Sequence, residues 1–152
     1  RTPAQPPDPD QEKLSNEAQE IEQYHRWKAW VKQDGLLLKD APMDLRENRI
    51  IVETALQQNG LALYYALPHH KKNKNIVAIA MNQNPYALEF ADPTIKDDYP
   101  FLRPFLAKHP EVTIFTSKRV RSTWLALHPE LKDTIPGIQH TIAKDAEDTL
   151  AA

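Results

Sequence analysis

The segment QQNGLALYYA at Gln57–Ala66 returns 25 residues later as NQNPYALEFA at Asn82–Ala91, and the same period runs outward in both directions. Gly35, Gly60, Pro85 and Pro110 share one register, Leu38, Leu63 and Leu88 a second, and Ala41, Ala66 and Ala91 a third. A fixed period of this length marks a repeat architecture, in which one small unit cannot bury its apolar face until a neighbour stacks on it. Followed outward, the period divides a domain of residues 15–152 into units at about 23–47, 48–72, 73–97, 98–122 and 123–150.

Each unit can be read residue by residue. Asn48, Asn73, Asp98 and Thr123 fall in register, and all four side chains can accept a bond from the free N–H groups of a first helical turn. Behind them come Ile51, Val52, Ala55 and Leu56, then Ile76, Val77, Ala80 and Met81, then Phe101, Leu102, Phe105 and Leu106. This i, i+1, i+4, i+5 spacing gives a single apolar helical face and predicts a first helix, A. Helix A stops at Asp34, Asn59, Asn84 and His109, each followed by Gly or Pro. Pro85 and Pro110 suit the first position of a second helix, where a missing N–H costs nothing. Gly35 and Gly60 are expected to relax the bend. Helix B, through Leu61, Leu63 and Ala66 or Tyr86, Leu88 and Ala91, is only about two turns long and needs tertiary packing to persist. Pro42, Pro68 and Pro93 end it and start a brief third turn. The expected fold is all-α, an α-solenoid-like array of short helix–turn–helix units.

At the N-terminal flank, Ile21, Tyr24, Trp27, Trp30 and Val31 place a longer helix over about Ser15–Gln33, with Glu17, Glu20 and Glu22 early and Lys28 and Lys32 late, as the helix dipole favours. Residues 1–14 begin RTPAQPPDPDQE and read as a disordered, Pro-rich lead-in, either a plain linker or a docking motif for a proline-binding module. The opening on Arg1 without Met fits a mature chain or a fragment of a longer protein. Pro104 and Pro129, again 25 apart, fall inside the expected helix A of the later units, where they would delay its start or kink it. The C-terminal units are therefore expected to be less regular.

Composition narrows the function classes. With 152 residues, 41% hydrophobic and 26% charged, the chain can bury a core, and no apolar run approaches the ~20 residues of a membrane span. A net charge of −2 gives no bulk attraction to nucleic acid or membrane. The absence of cysteine excludes disulfides, thiolate metal sites and cysteine nucleophiles. His25, His69, His70, His109, His128 and His140 show no i, i+4 pairing of the zinc-protease kind. His109 reads as a helix cap, and His70, in a slot held elsewhere by Leu45, Ile95 and Val120, as a half-buried imidazole. No Gly-x-Ser-x-Gly or glycine-rich phosphate loop occurs. No catalytic, cofactor-binding or metal-binding residue is assigned.

Basic residues gather twice, in HHKKNK (His69–Lys74) and in SKRVR (Ser117–Arg121). Both clusters follow helix B, so Lys71, Lys72, Lys74, Lys118, Arg119 and Arg121 are candidates for one edge of the array, free to meet an acidic or phosphate-bearing partner. The alternative is that they only offset helix dipoles. Tyr64 and Glu89 mark a second candidate surface on the helix B row.

The run Asn48-Arg-Ile-Ile-Val through Ala55-Leu-Gln-Gln-Asn-Gly-Leu-Ala-Leu-Tyr-Tyr-Ala66 resembles a family of short Asn-Gly-x-Ala-Leu helical repeats catalogued as a domain of unknown function. The resemblance is good over residues 48–98 and weaker over 24–47 and 99–131. It departs at Pro85 and Pro110, which replace glycine, and at Glu111–Phe115, where Ala-Leu-x-x-Ala is lost. Such repeats occur in effector proteins of intracellular bacterial pathogens. The resemblance implies a helical interaction module of a secreted effector, soluble in the bacterial cytoplasm and then in the host cell, with a host protein as partner. It brings no catalytic residues. The expected function is non-enzymatic protein binding or scaffolding. The alternatives are an electrostatic binder of phosphoinositide headgroups or nucleic acid, and an enzyme whose site the sequence does not mark.

Overall fold

A computed structural model describes residues 9–151, whose regular structure is all helical with no strand among them. The chain runs through α1 (Pro9–Gln33), the 3₁₀ helix η1 (Gly35–Asp40) and α2 (Met43–Glu47). It continues through α3 (Arg49–Gln58), η2 (Gly60–Tyr65) and α4 (Pro68–Lys71), then α5 (Lys74–Gln83), η3 (Pro85–Phe90) and α6 (Pro93–Lys96). The last part holds α7 (Tyr99–Lys108), η4 (Pro110–Phe115), α8 (Lys118–Leu127), η5 (Pro129–Asp133) and α9 (Ile138–Ala151). The segment read as helix B is thus a 3₁₀ helix, and the brief third turn is a short α-helix in its own right.

Side-chain caps set the starts. Asn48 Oδ1 accepts from the Ile50 and Ile51 N–H groups at 3.0 and 3.2 Å, and Asn73 Oδ1 from those of Asn75 and Ile76 at 3.0 and 3.4 Å. Asp98 Oδ1 accepts from Phe101 N–H at 3.1 Å. Asp34, Asn59 and Asn84 cap the 3₁₀ helices, each accepting from the N–H two residues on at 3.0 Å. His109 stands in the same place but makes no capping bond, a correction to its reading as a cap. Its Nδ1 lies 3.5 Å from Glu111.

The core runs as one cluster from Val31 to Trp124, with a smaller second cluster of Leu125, Ile135 and Ile138 beyond it. Ile51, Val52, Ala55 and Leu56 are buried, as are Ile76, Val77, Ala80 and Met81, together with Leu38, Leu63 and Leu88 beneath the 3₁₀ helices. Where that leucine register reaches residue 113 it holds a threonine, also fully buried, whose hydroxyl donates to Pro110 O at 2.6 Å.

The joints between units explain the glycines differently from the sequence reading. Neither Gly35 nor Gly60 has positive φ, so neither is needed to relax a bend. A Cβ at Gly35 would lie 2.2 Å from Ala55 O, and one at Gly60 2.2 Å from Ala80 O. The freed space brings each glycine N–H against the next helix: Gly35 donates to Gln58 Oε1 at 2.7 Å, and Gly60 to Gln83 Oε1 at 2.5 Å. Glycine, alanine and glutamine therefore act as one lock. Pro85 has no N–H to give, and beyond it Phe105 and Lys108 replace the alanine and glutamine. The close packing of α3 on α5 recurs only weakly between α5 and α7, and α7 packs chiefly on η4.

Two further expectations are corrected. α1 begins at Pro9, so residues 9–14 of the expected lead-in are helical, while its first eight residues lie outside those described. Toward the C-terminus, helix α8 starts behind Ser117, whose hydroxyl accepts from Val120 N–H at 3.2 Å, and not behind Thr123. Thr123 sits mid-helix with its hydroxyl on Arg119 O at 2.9 Å. No breaker separates the short helix from helix A there, so the two fuse. The spacing contracts: FLAKHPE at Phe105–Glu111 returns as WLALHPE at Trp124–Glu130, 19 residues on. Pro129 consequently opens η5, and Pro104 alone lies inside a helix.

Candidate interaction surface

A 3₁₀ helix has about three residues per turn, so positions three apart share a ridge. In η2 and η3 the inward positions are Ala62, Leu63, Ala87 and Leu88, leaving Leu61, Tyr64, Tyr86 and Glu89 on the outer ridge. Tyr64 is 57% exposed and Tyr86 45% exposed. The Tyr64 ring stands edge-on to Tyr65 at 5.0 Å and to Phe90 of the next unit at 5.2 Å. Tyr86 meets Phe115 at 6.1 Å in the same manner. Offset edge contacts of this kind hold aromatic rings in place while their outer faces remain open. Lys71 Nζ lies 5.6 Å from the Tyr64 ring centre, so two residues from different candidate surfaces belong to one patch.

The cations of the two sequence clusters are not a free edge. Lys74 pairs with Asp98 at 2.6 Å. Arg119 forks onto Asp97 Oδ1 and Oδ2 at 3.1 and 2.8 Å and also donates to Asp97 O at 3.0 Å. Lys118 donates to the Thr149 hydroxyl. Lys72 is exposed. The Asp97 and Asp98 carboxyls are held below the usual range, Asp97 by the Ser117 hydroxyl and then Arg119, Asp98 by Lys74 and then the Phe101 N–H.

Arg121 corrects the sequence reading most plainly: it is 7% exposed and turned inward. Its Nε and Nη2 donate to Asp145 Oδ2 and Oδ1 of α9, both at 2.7 Å, and Nη1 donates to Thr116 O. These bonds keep the Asp145 carboxyl depressed. Residue 121 ties α8 to α9 and offers nothing to solvent.

A feature missed at the sequence level is the row Arg46, Lys71, Lys96 and Arg121, successive residues 25 apart. All four stand at one position of the short connecting helix or its equivalent. The backbone of each of the first three is tied to the following unit: His70 Nε2 donates to Arg46 O at 3.2 Å, Asp92 N–H to Lys71 O at 3.1 Å and Ser117 N–H to Lys96 O at 2.8 Å. Arg46 Nη2 donates to Tyr65 O at 2.7 Å, and its Nε is buried without an acceptor. Burial lowers the Lys71 ammonium pKa, with help from Arg46. Burial also lowers that of Lys96, against the pull of Glu89 and Asp92. The period itself would have revealed this ladder; searching for local runs of charge hid it.

His70 is 4% exposed, more deeply buried than expected, in the slot of Leu45 and Ile95. Its pKa is lowered by burial first and by the neighbouring His69 second, with backbone groups of Arg46 and Glu47 and the Glu47 charge opposing. The His69 and His70 rings lie 4.1 Å apart. Among the described residues no three His, Cys, Asp or Glu side chains are grouped to hold a metal ion, and no helix is long and apolar enough to cross a membrane.

No curated protein and no solved structure significantly matches the chain. A family model described as a domain of unknown function (DUF4116) matches residues 27–71 and again residues 60–96. Over the units that carry the glycine locks and the first three ladder positions, the chain is similar to that domain of unknown function.

Proposed function

We propose that the chain is a non-enzymatic protein-interaction module whose contact surface is the row of 3₁₀ ridges and the turns beside them. The observation that carries this reading is the half-open aromatic row, Tyr64 against Phe90 with Lys71 over the Tyr64 ring and Tyr86 against Phe115 one unit on. Tyrosines fixed by ring contacts offer large amphipathic area at little entropic cost, which is what interface anchors need. The similarity to a domain of unknown function assigns no activity. The setting in a larger secreted effector, and a host protein as partner, follow from the repeat resemblance and belong to the same proposal.

The test is partner capture from host-cell lysate followed by the double substitution Tyr64→Ser and Tyr86→Ser. Both residues are solvent-facing, so the melting temperature should hold while the captured partner is lost. Retention of the partner by this variant, with its fold intact, would remove the ridge as the contact surface. Capture that survives about half-molar salt supports a packed interface; steep loss supports phosphate contacts instead.

A further inference from the structure

Three of the four ladder cations lack a carboxylate within salt-bridge distance, and the fourth shows what fills such a position. Arg46, Lys71 and Lys96 are all half-buried, and each belongs to a turn pinned by a bond from the next unit. No ion pair closes on any of them among the described residues. At the fourth step, Asp145 of α9 takes Arg121 with both oxygens at 2.7 Å. α9 is an acidic helix in this stretch, with Asp145, Glu147 and Asp148 in sequence. The protein therefore contains, at one end, a carboxylate-bearing helix seated on its own ladder.

We propose that Arg46, Lys71 and Lys96 bind an acidic helical segment of a partner protein, in the way that α9 presents Asp145 to Arg121. This rests on the interaction-module reading and names the partner's chemistry. Half-buried cations with no closed ion pair have already lost part of their hydration, so a carboxylate delivered to them forms a charge-assisted bond against less competition from water. Neighbouring packed helices lie roughly 10 Å apart, close to the ~11 Å of two helical turns. Carboxylates at i, i+7 and i+14 of one helix would meet successive ladder positions. Tyr64 and Phe90 supply an apolar wall beside Lys71 for the rest of such a helix. Glu89 and Asp92, whose charges both act on Lys96, weaken the third position relative to the first two.

The probe is a labelled Ala/Gln helical peptide with glutamates at i, i+7 and i+14, followed by fluorescence anisotropy against the whole chain. The variant R46Q/K71Q/K96Q should weaken binding by about tenfold or more, since each charged hydrogen bond is worth at least that order. The variant K71R/K96R should bind normally, and circular dichroism of both should match the parent. A peptide with its three glutamates adjacent should bind several-fold more weakly. Equal binding by the charge-neutralised variant overturns the proposal, and so does equal binding of the adjacent-glutamate peptide, because bulk charge would then suffice. Displacement of the peptide by inositol hexakisphosphate or by phosphatidylserine vesicles, at lower concentration than by free acidic peptide, overturns it in favour of a phosphate site. A captured partner kept by the ladder variant but lost by the Tyr64/Tyr86 variant defeats the ladder and leaves the interaction module standing. A partner kept by both defeats the two readings together.

Discussion

Substituting Gly60 by alanine tests the lock between units. The added Cβ would stand 2.2 Å from Ala80 O and 3.1 Å from both Ala80 C and Asn84 N, all backbone atoms of the next unit. The first contact is about 1 Å too short, and no side chain can rotate away to relieve it. Either α5 moves off η2, or the chain stays strained. A gap of that size forfeits about a quarter to a half of each dispersion contact across the joint. Overpacking of this kind costs about 1–3 kcal/mol, and weakening the Gly60–Gln83 bond adds about 1 kcal/mol. The expected loss is therefore about 2–4 kcal/mol, or roughly 5–15 °C in melting temperature for a domain of this size. At a site with room, the same change stabilises by about 0.4–1 kcal/mol through the unfolded chain, so the sign itself is diagnostic. Urea unfolding followed by circular dichroism gives the free energy, and combination with Gln83→Ala should be less than additive. Gly137→Ala serves as a control: its φ of 77° carries backbone strain, but no atom lies within 4 Å of the new Cβ. An unchanged or raised melting temperature for Gly60→Ala would refute the lock.

Leu63→Ala and Leu88→Ala each empty a fully buried site and should cost about 2–5 kcal/mol in the same assay; an unchanged midpoint would remove that register from the core. Arg121→Gln leaves Asp145 without its fork and should destabilise by about 3 kcal/mol, with α9 amides losing hydrogen-exchange protection before those of α3 and α5. His70 has a folded pKa below its ordinary value of 6.5, so the unfolded chain gains a proton that the folded chain resists. Stability should accordingly fall as pH drops below about 6.5, and His70→Leu, matching Leu45, should flatten that slope in unfolding curves between about pH 7 and pH 5.

The sequence was most legible where structure is local. Caps at Asn48, Asn73 and Asp98 bond only two or three residues ahead, and the apolar face of each helix A repeats every turn, so both could be read without knowing a neighbour. What stayed hidden bridges units. The reason for Gly60 is a glutamine 23 residues on, and the partner of Arg121 is an aspartate 24 residues on. The contracted final spacing was present in FLAKHPE and WLALHPE, but a period already fixed at 25 masked it. Of the candidate surface, Tyr64 and Lys71 come together in one patch, whereas the role of Arg121 turned on a helix that the periodic reading had broken in the wrong place.

The glycine–alanine–glutamine lock also gives the array a grammar. A unit carrying glycine where Gly60 stands accepts any successor that presents alanine and glutamine at matching places, so the stretch from residue 49 to residue 73 could be copied in tandem or excised and still find a fitting neighbour. Pro85 closes that possibility. It offers no N–H and carries its own ring carbons, so the successor must stand off and fill the space with Phe105. Growth by duplication is thus open on the N-terminal side of Pro85 and shut beyond it, which makes the number of identical units adjustable while the end of the array stays fixed.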